Sequence, residues 1–475
     1  MNRNNFWIHL GIALVLIGFA AIIGQVVQWE TSQSDSQRNF DKQTSKPRAV
    51  KRSNIESQPE VLVKFRSDVS LAEIKKIVGK NNDRIEDVFQ QEKGWFAIDD
   101  LDNRDIETVA AQYRSMSDTV DYAEPNNEIR LDDPADFAAP ARFSSEDAPN
   151  PLMPNDPMFN EQWALNNGGQ SGGKEKADLR ALLAWAKSQG SSDVVVAVLD
   201  SGVDYTHPDL VANMWFRPDN VPQYKDDELG TFNDLHGFNA TDNKSDPMDD
   251  NGHGTHCAGI IGAEGDNNEG IAGINWRVQI MPLKFMGRGG FGTTKDAIEA
   301  INYAIDRKQK GVNVRVINAS WGSTQNSKAL EDAIRAAGEA GILFVAAAGN
   351  DGTSNDSRPH FPSNYDLPNV ISVAALDRTD QLASFSNFGI KSVHIAAPGK
   401  DILSTWLGDK YREASGTSMA TPYVAGTAAL ILASEPKLSV EKLRERILSS
   451  VDKLDSLNGK VESGGRLNAA KAVGN

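Results

Sequence analysis

Apolar positions fall into two regimes along the chain. Between 59 and 131 they come in short, separated bursts. "VLVKF" (61–65) reads as a strand, and "SLAEIKKIV" (70–78) as a helix with Ser70 as cap and Glu73 closing a capping box. "GWFAID" (94–99) is a second strand, "RDIETVAAQYRSM" (104–116) a second helix, and "VDYAEPNNEIRL" (120–131) returns as a strand. Two βαβ-like halves predict a small α+β domain over 59–131, with helices on one face of the sheet. From about 155 the apolar runs become continuous: "VVVAVLD" (194–200), "VQIMPLKF" (278–285), "VRVINAS" (314–320), "ILFVAAAGN" (342–350) and "VISVAAL" (370–376). Helical patterns lie between several of them, at 293–309 and 327–340. Buried strands alternating with helices predict an α/β domain over 155–475, a doubly wound, mostly parallel sheet flanked by helices. Helices at 438–450 and 465–473 close it.

The flanks differ in kind. Residues 6–27, "FWIHLGIALVLIGFAAIIGQVV", follow Arg3 and carry no Asp, Glu, Lys or Arg. The run is close to a full membrane span, so residues 1–29 read as a signal peptide or a single anchor. Either places the remainder outside the cytoplasm, secreted or anchored, with membrane contact only through 6–27. Residues 30–58 are polar and read as a flexible linker. Residues 132–154, rich in Pro, Ala, Asp and Ser, read as an exposed linker.

Composition narrows the partners. A chain of 475 residues holds two or three domains, and its net charge of −16 makes nucleic acid a poor partner while admitting bound cations. With Cys257 as its one cysteine, no intramolecular disulfide forms.

In an open parallel sheet, sites form at the carboxyl ends of strands. Strand 194–199 ends in Asp200, strand 314–319 in Ser320, and strand 342–348 in Gly349 and Asn350. "NGHGTHCAG" (251–259) puts His253 at the start of a small-residue helix, and "GTSMATPYVAG" (416–426) puts Ser418 at another. Pro422 suits only a first helical turn, so that helix is expected to begin near Ser418. Taken alone, Ser418 reads equally well as an N-cap. Together with an aspartate, a histidine and an asparagine it reads as a nucleophile. A serine hydroxyl needs a base near neutral pH, histidine has the pKa for it, and a carboxylate fixes the imidazole tautomer. The Asn350 amide and the Ser418 backbone N–H are suitable donors for an oxyanion.

"DSGVDYTHPDL", "NGHGTHCAG" and "GTSMATPYVAG", in that order, resemble the subtilisin family of serine proteases, over about 155 to 475. The resemblance implies Asp200 as orienting acid, His253 as base, Ser418 as nucleophile and Asn350 as oxyanion donor. It implies polypeptide substrates that pair as an added strand with "GRGGFG" (287–292), including Gly289 and Gly290, and with Ser320, Trp321 and Gly322. Trp321 reads equally well as packing. An S1 pocket between 320–322 and Ala347, Ala348 and Gly349 leaves room for a medium or large apolar side chain. His360 follows the Asn350 strand where the family builds the pocket base, which makes it a candidate for specificity.

The same resemblance implies structural calcium at "AEGDNNEGIAG" (263–273). Asp209 and Asn267 would give side-chain oxygens, Gly265, Glu269 and Ile271 carbonyls, and Asp156 would complete the shell. The alternative is a solvated turn. "NATDNKSDPMDDNG" (239–252) resembles a second calcium region, although Lys244 stands where a ligand is expected. The 59–131 domain resembles the family's inhibitory propeptide, which would make the chain a zymogen cut in the linker after 131; the alternative is an unrelated binding domain. Cys257 reads as a small buried core residue beneath His253. His207 and His256 read as packing near the site, and His236 and His394 as structural. Two rivals stay open: a silent relative used as a binding module, which the intact constellation disfavours, and an esterase, which the missing G-x-S-x-G elbow disfavours.

Overall fold

The computed structural model describes residues 60–88, 94–131, 153–226, 230–241 and 246–474. The apolar run 6–27, the 30–58 linker, almost all of the 132–154 linker and Lys244 lie outside the described residues. The chain divides into two units, Met1–Ser57 and Gln58–Asn475, and every described residue belongs to the second.

The N-terminal part of that unit is a four-stranded sheet in the order Asp83–Asp87, Trp95–Asp100, Glu60–Phe65, Val120–Pro125. All three pairings are antiparallel. Asp83–Asp87 was not expected, because "DRIED" offers one apolar side chain and only its neighbours' ladder makes it a strand. Helices Leu71–Lys80 and Ile106–Arg114 begin at Ser70 and Asp105, whose side chains accept from Glu73 N and Thr108 N. Alternation along the central strand splits its side chains between two cores. Val61, Val63 and Phe65 meet Ile74, Val78, Val109 and Tyr113 of the helices. Leu62, with Trp95 and Ala97 of the next strand, meets the second domain instead, beside Ile298, Ala329 and Leu330.

The second domain is built on a nine-stranded sheet. Its order is Val451–Lys453, Gly465–Leu467, Ile395–Pro398, Val370–Leu376, Leu343–Ala347, Val314–Ala319, Gly190–Asp200, Arg277–Lys284, Phe238–Asn239. Every pairing is parallel except that of the first two strands. Helices Thr294–Gln309 and Lys328–Glu339 cover one face and His253–Gly262 and Thr417–Ser434 the other, which is why the inner strands are apolar on both sides. The subtilisin-like fold expected from the sequence is the one observed. The 465–473 segment differs from expectation: only Ala469–Ala472 is helical, because Gly465–Leu467 joins the sheet edge.

The strand foreseen as 120–131 breaks after Pro125. Its continuation, Glu128–Arg130, leaves the first sheet and pairs antiparallel with Phe291–Thr293 of the second domain. Glu124, just before the break, accepts from Ser327 Oγ (2.7 Å), Lys328 N (2.9 Å) and Ala329 N (3.1 Å), so it caps helix Lys328–Glu339 across the two domains.

Candidate active site

Asp200 ends its strand fully buried, and His253 opens its helix after three short intervening strands. Two glycines let that helix approach. A Cβ on Gly252 (φ +109°) would lie 2.5 Å from the Trp406 ring, and one on Gly254 would lie 2.0 Å from Gly202 O. Asp249 holds the helix start. Its carboxylate accepts from the N–H groups of Asn251 (2.9 Å), Gly252 (3.0 Å) and Thr255 (3.0 Å) and from the Ser201 and Thr255 hydroxyls. Burial nevertheless pushes the Asp249 carboxyl above the usual carboxylate range. With the helix so fixed, His253 Nδ1 lies 2.8 Å from Asp200 Oδ1. A carboxylate only accepts, so Nδ1 carries the proton and Nε2, also buried, is the basic nitrogen.

Ser418 is the second residue of helix Thr417–Ser434, whose cap is Gly416. Pro422 therefore sits in the second turn, one turn later than expected. Lacking an N–H, it leaves the Ser418 carbonyl without its helical donor. The Ser320 hydroxyl donates there instead at 2.8 Å, and the Cys257 thiol approaches the same oxygen at 3.6 Å. The Ser418 hydroxyl donates in return to Ser320 O at 2.9 Å. Helix start and strand end are thus tied together by two serines.

Asn350 is oriented from the same helix. Its Oδ1 accepts from Thr417 N (2.9 Å) and Thr417 Oγ1 (3.0 Å). That fixes which way the amide faces. The position a Cβ would take on Gly416 lies 3.4 Å from Asn350 Nδ2 and 3.5 Å from Ser418 N, so two N–H donors converge on one small space beside the serine.

The expected peptide edges hold a peptide of the chain itself. Besides the ladder with Phe291–Thr293, Leu131 N donates to Gly290 O at 2.9 Å, and Arg130 is bridged antiparallel to Gly322. The tail is thus a middle strand between the two segments. Gly290 (φ +70°) needs its left-handed backbone there, whereas Gly289 is exposed. Trp321 is 1% exposed and donates Nε1–H to Leu199 O at 2.8 Å, so it packs under the edge. Ala347 and Ala348 are buried in the strand end. The pocket is tighter than those small residues imply, because the His360 ring lies between Gly322 and Gly349.

Of the residues foreseen for calcium, the structure brings the side chains of Asp156, Asp209 and Asn267 together with the 265–271 loop. Asp156 Oδ2 accepts from Asp266 N (2.8 Å), while Asp156 Oδ1 is buried with no hydrogen bond. Asp209 accepts from Asn267 Nδ2 (2.9 Å) and Ile271 N (2.9 Å). Gly265 is held against Trp276, and Glu269 donates its N–H to Asn267 Oδ1 (2.8 Å). Burial pushes Asp156 up to about 6 and Asp209 up to about 7.

Three other histidines hold backbone. His256 donates Nε2–H to Arg412 O (2.9 Å), and burial pushes it down to about 3. His207 Nδ1 accepts from Asp209 N and His394 Nδ1 from Ser372 N, and burial lowers both. His236 stacks on Tyr205. Cys257 is fully buried, with its sulfur within 4.8 Å of ligand atoms of Asp200 and His253. Reading the sequence alone passed over Asp249 and Thr417. An aspartate three residues before a glycine helix start is a capping signal, which the acid-rich 239–252 stretch obscured.

Comparison with known proteins shows the family and the fold. A model of the subtilase family, peptidase S8, matches residues 191–470. The thermophilic serine proteinase of Bacillus sp. (strain AK1) is 35% identical over 429 residues, 88% of this chain and 87% of that protein. Thermitase of Thermoactinomyces vulgaris is 37% identical over 320 residues, 67% of this chain and 99% of that protein. Fervidolysin from Fervidobacterium pennivorans, a keratinolytic enzyme related to subtilisin, shares the fold with a TM-score of 0.69 at 23% identity, over 90% of this chain and 62% of that one. With the site motifs inside the matched region, the chain belongs to the subtilase family and is a serine endopeptidase.

Proposed function

We propose that this endopeptidase works through Asp200, His253, Ser418 and Asn350 and is made as a zymogen whose residues 60–131 occupy its own cleft. The Ser418 hydroxyl, now bonded to Ser320 O, turns to His253 Nε2 once a substrate amide takes that carbonyl. His253 accepts the proton as Ser418 attacks, Asp200 steadies the imidazolium, and Asn350 Nδ2 with Ser418 N–H receives the oxyanion. His253 then protonates the leaving amine, and water hydrolyses the acyl-enzyme.

The observation that carries this reading is the tail Glu128–Leu131, paired on both sides as a substrate strand would be and aimed along the Ser320 edge. Glu124 and the Leu62–Trp95–Ala97 face anchor the same domain. Calcium fits the 265–271 loop. The donors are all oxygen, two carboxylates are buried there, and Asp156 Oδ1 has no hydrogen bond. Asp156, Asp209 and Asn267 with the carbonyls of Gly265, Glu269 and Ile271 would hold it. The ion would supply the charge that two buried carboxylates lack, and no chemical step passes through it. The apolar run 6–27 would place the enzyme outside the cytoplasm, exported or anchored. Among the described residues, no helix is long and apolar enough to cross a membrane.

Hydrolysis of casein by the full chain with calcium, compared with Ser418→Ala, tests the reading. Activity that Ser418→Ala abolishes supports it. Activity retained by Ser418→Ala, or none in the wild type after the tail has been removed, overturns it.

A further inference from the structure

Strand Arg277–Lys284 lies parallel to Gly190–Asp200, and its last residue stands opposite Asp200. Register neighbours leave a sheet on the same face, so the Lys284 side chain enters the layer in which Asp200 meets His253. It does not run out to water. Lys284 is 4% exposed, and its ammonium donates to Ser201 O (2.5 Å) and to Asp250 Oδ1 (2.6 Å). Those acceptors flank the Asp200–His253 pair. Ser201 follows Asp200, and Asp250 stands three residues before His253.

The contacts of Ser201 show what this bridge holds. Its N–H donates to Asp200 Oδ1 (2.7 Å), the oxygen that His253 Nδ1 also meets. Its hydroxyl donates to Asp249 Oδ1 (2.9 Å) and accepts from Gly254 N (3.0 Å). The carbonyl is its remaining polar group, and Lys284 takes it. The residue after Asp200 is thereby held at all three polar groups, and with it the direction in which the carboxylate faces the imidazole.

A buried ammonium is costly unless its charge is compensated. The carboxylate that compensates this one, Asp250, has 50% of its side chain open to solvent. Water and salt weaken its hold, so part of the positive charge stays effective inside the protein. The other charged and titratable groups around His253 are Asp200 on the strand, Asp249 before the helix, and His256 and Cys257 on the helix itself. Arg288 lies beyond Asn251 and is exposed, and Arg412 stands on the strand that accepts from His256. A cation on the Asp200 side opposes the second charge that forms when the imidazole takes a proton. It therefore keeps Nε2 unprotonated, and able to act as a base, down to a lower pH.

We infer that Lys284 is a positioning residue of this endopeptidase: through Ser201 and Asp250 it clamps the Asp200 strand end to the approach of the His253 helix, and its charge sets the lower edge of the working pH range. The inference rests on the reading of Asp200, His253 and Ser418 as the triad. Lys284 exchanges no proton with His253 or with substrate.

The test is the pH dependence of kcat/KM on a short fluorogenic peptide that the wild type cleaves, using processed enzyme whose active serines are counted with a fluorophosphonate. Asp250→Asn keeps an acceptor for the ammonium and removes only the charge. Its acid limb should move down by about 0.3 pH unit, and by less in about 1 M salt. Lys284→Met keeps most of the length and removes the cation. Its limb should move up, with kcat lowered about 10-fold and KM little changed. A lysine that only packed would alter rate or melting temperature, and its charge partner would leave the limb where it was. Should Lys284→Met fail to fold, Asp250→Asn decides alone, since its side chain is half exposed. An Asp250→Asn limb that stays or rises, or a Lys284→Met limb that stays or falls, overturns this inference and leaves the protease reading standing when the wild type is active. A wild type with neither hydrolysis nor a labelled serine overturns both.

Discussion

The Asn350 amide is oriented by Thr417, which contributes both its N–H and its hydroxyl to Oδ1. Asn350→Leu keeps the volume and removes the donor. The expected outcome is a fall in kcat of about 10²–10³ with little change in KM, the size known for this change in subtilisin itself and carried over from it. An unchanged kcat in steady-state assays would remove Asn350 from the mechanism. The residues proposed for direct chemistry were the most legible part of the sequence: Asp200, His253, Asn350 and Ser418 stand at strand ends or helix starts, where the alternation of apolar runs marks them. Their supports were not. Asp249 and Ser320 act through geometry that arises only when a helix start meets a strand end, and no local pattern encodes that meeting. His360 was noticed only as a candidate, because its position between Gly322 and Gly349 depends on packing across 38 residues of chain.

Helix His253–Gly262 depends on Asp249 for its first turn. Asp249→Ala strands buried N–H and hydroxyl donors, so at least about 2 kcal/mol of stability is lost. The melting temperature, measured in a Ser418→Ala background to prevent self-digestion, should fall by several degrees. A change within error would show that the cap is dispensable. At the face between the propeptide-like sheet and helix Thr294–Gln309, strand Glu60–Phe65 brings Glu60 beside Lys295, Glu86, Asp99 and Asn126. Burial is the chief cause that pushes Glu60 up to about 8, opposed by Lys295 and supported by Glu86 and Asp99. An undocked Glu60 has an ordinary carboxylate pKa, so between that value and about 8 the docked form binds more protons. Docking is therefore favoured at low pH and weakens as pH rises toward 8. Release of the processed propeptide, followed by size exclusion, should be faster at pH 8 than at pH 6, and Glu60→Gln should slow it at pH 8. The opposite pH order would contradict this. Apolar periodicity marked both helices of the small domain because their one-sided burial has a period. It missed Asp83–Asp87, an edge strand without an apolar face, and it ran Val120–Pro125 into Glu128–Arg130, since the break serves a second domain's edge.

For the whole molecule, two domains of different sheet type meet along the Glu128–Leu131 tail, and the proposed cation site lies at the loop following the His253 helix. Chelation by EDTA should lower the melting temperature of the Ser418→Ala chain. Calcium at 100 times its Kd is worth about 2.7 kcal/mol to the folded state. Asp209→Ala should abolish the calcium response, and a melting temperature indifferent to both would remove the ion from the account. The parallel sheet was readable because strands buried on both faces leave unbroken apolar runs. The docking of one domain on the other was not, since Leu62, Trp95 and Ala97 look like any strand's second face. The measurement that bears most directly on the central claim is the site of covalent labelling by a fluorophosphonate, mapped by peptide mass spectrometry on the processed enzyme. The account predicts a single adduct on Ser418, lost in His253→Ala. An active enzyme with no adduct on Ser418, or undiminished labelling without His253, would contradict it.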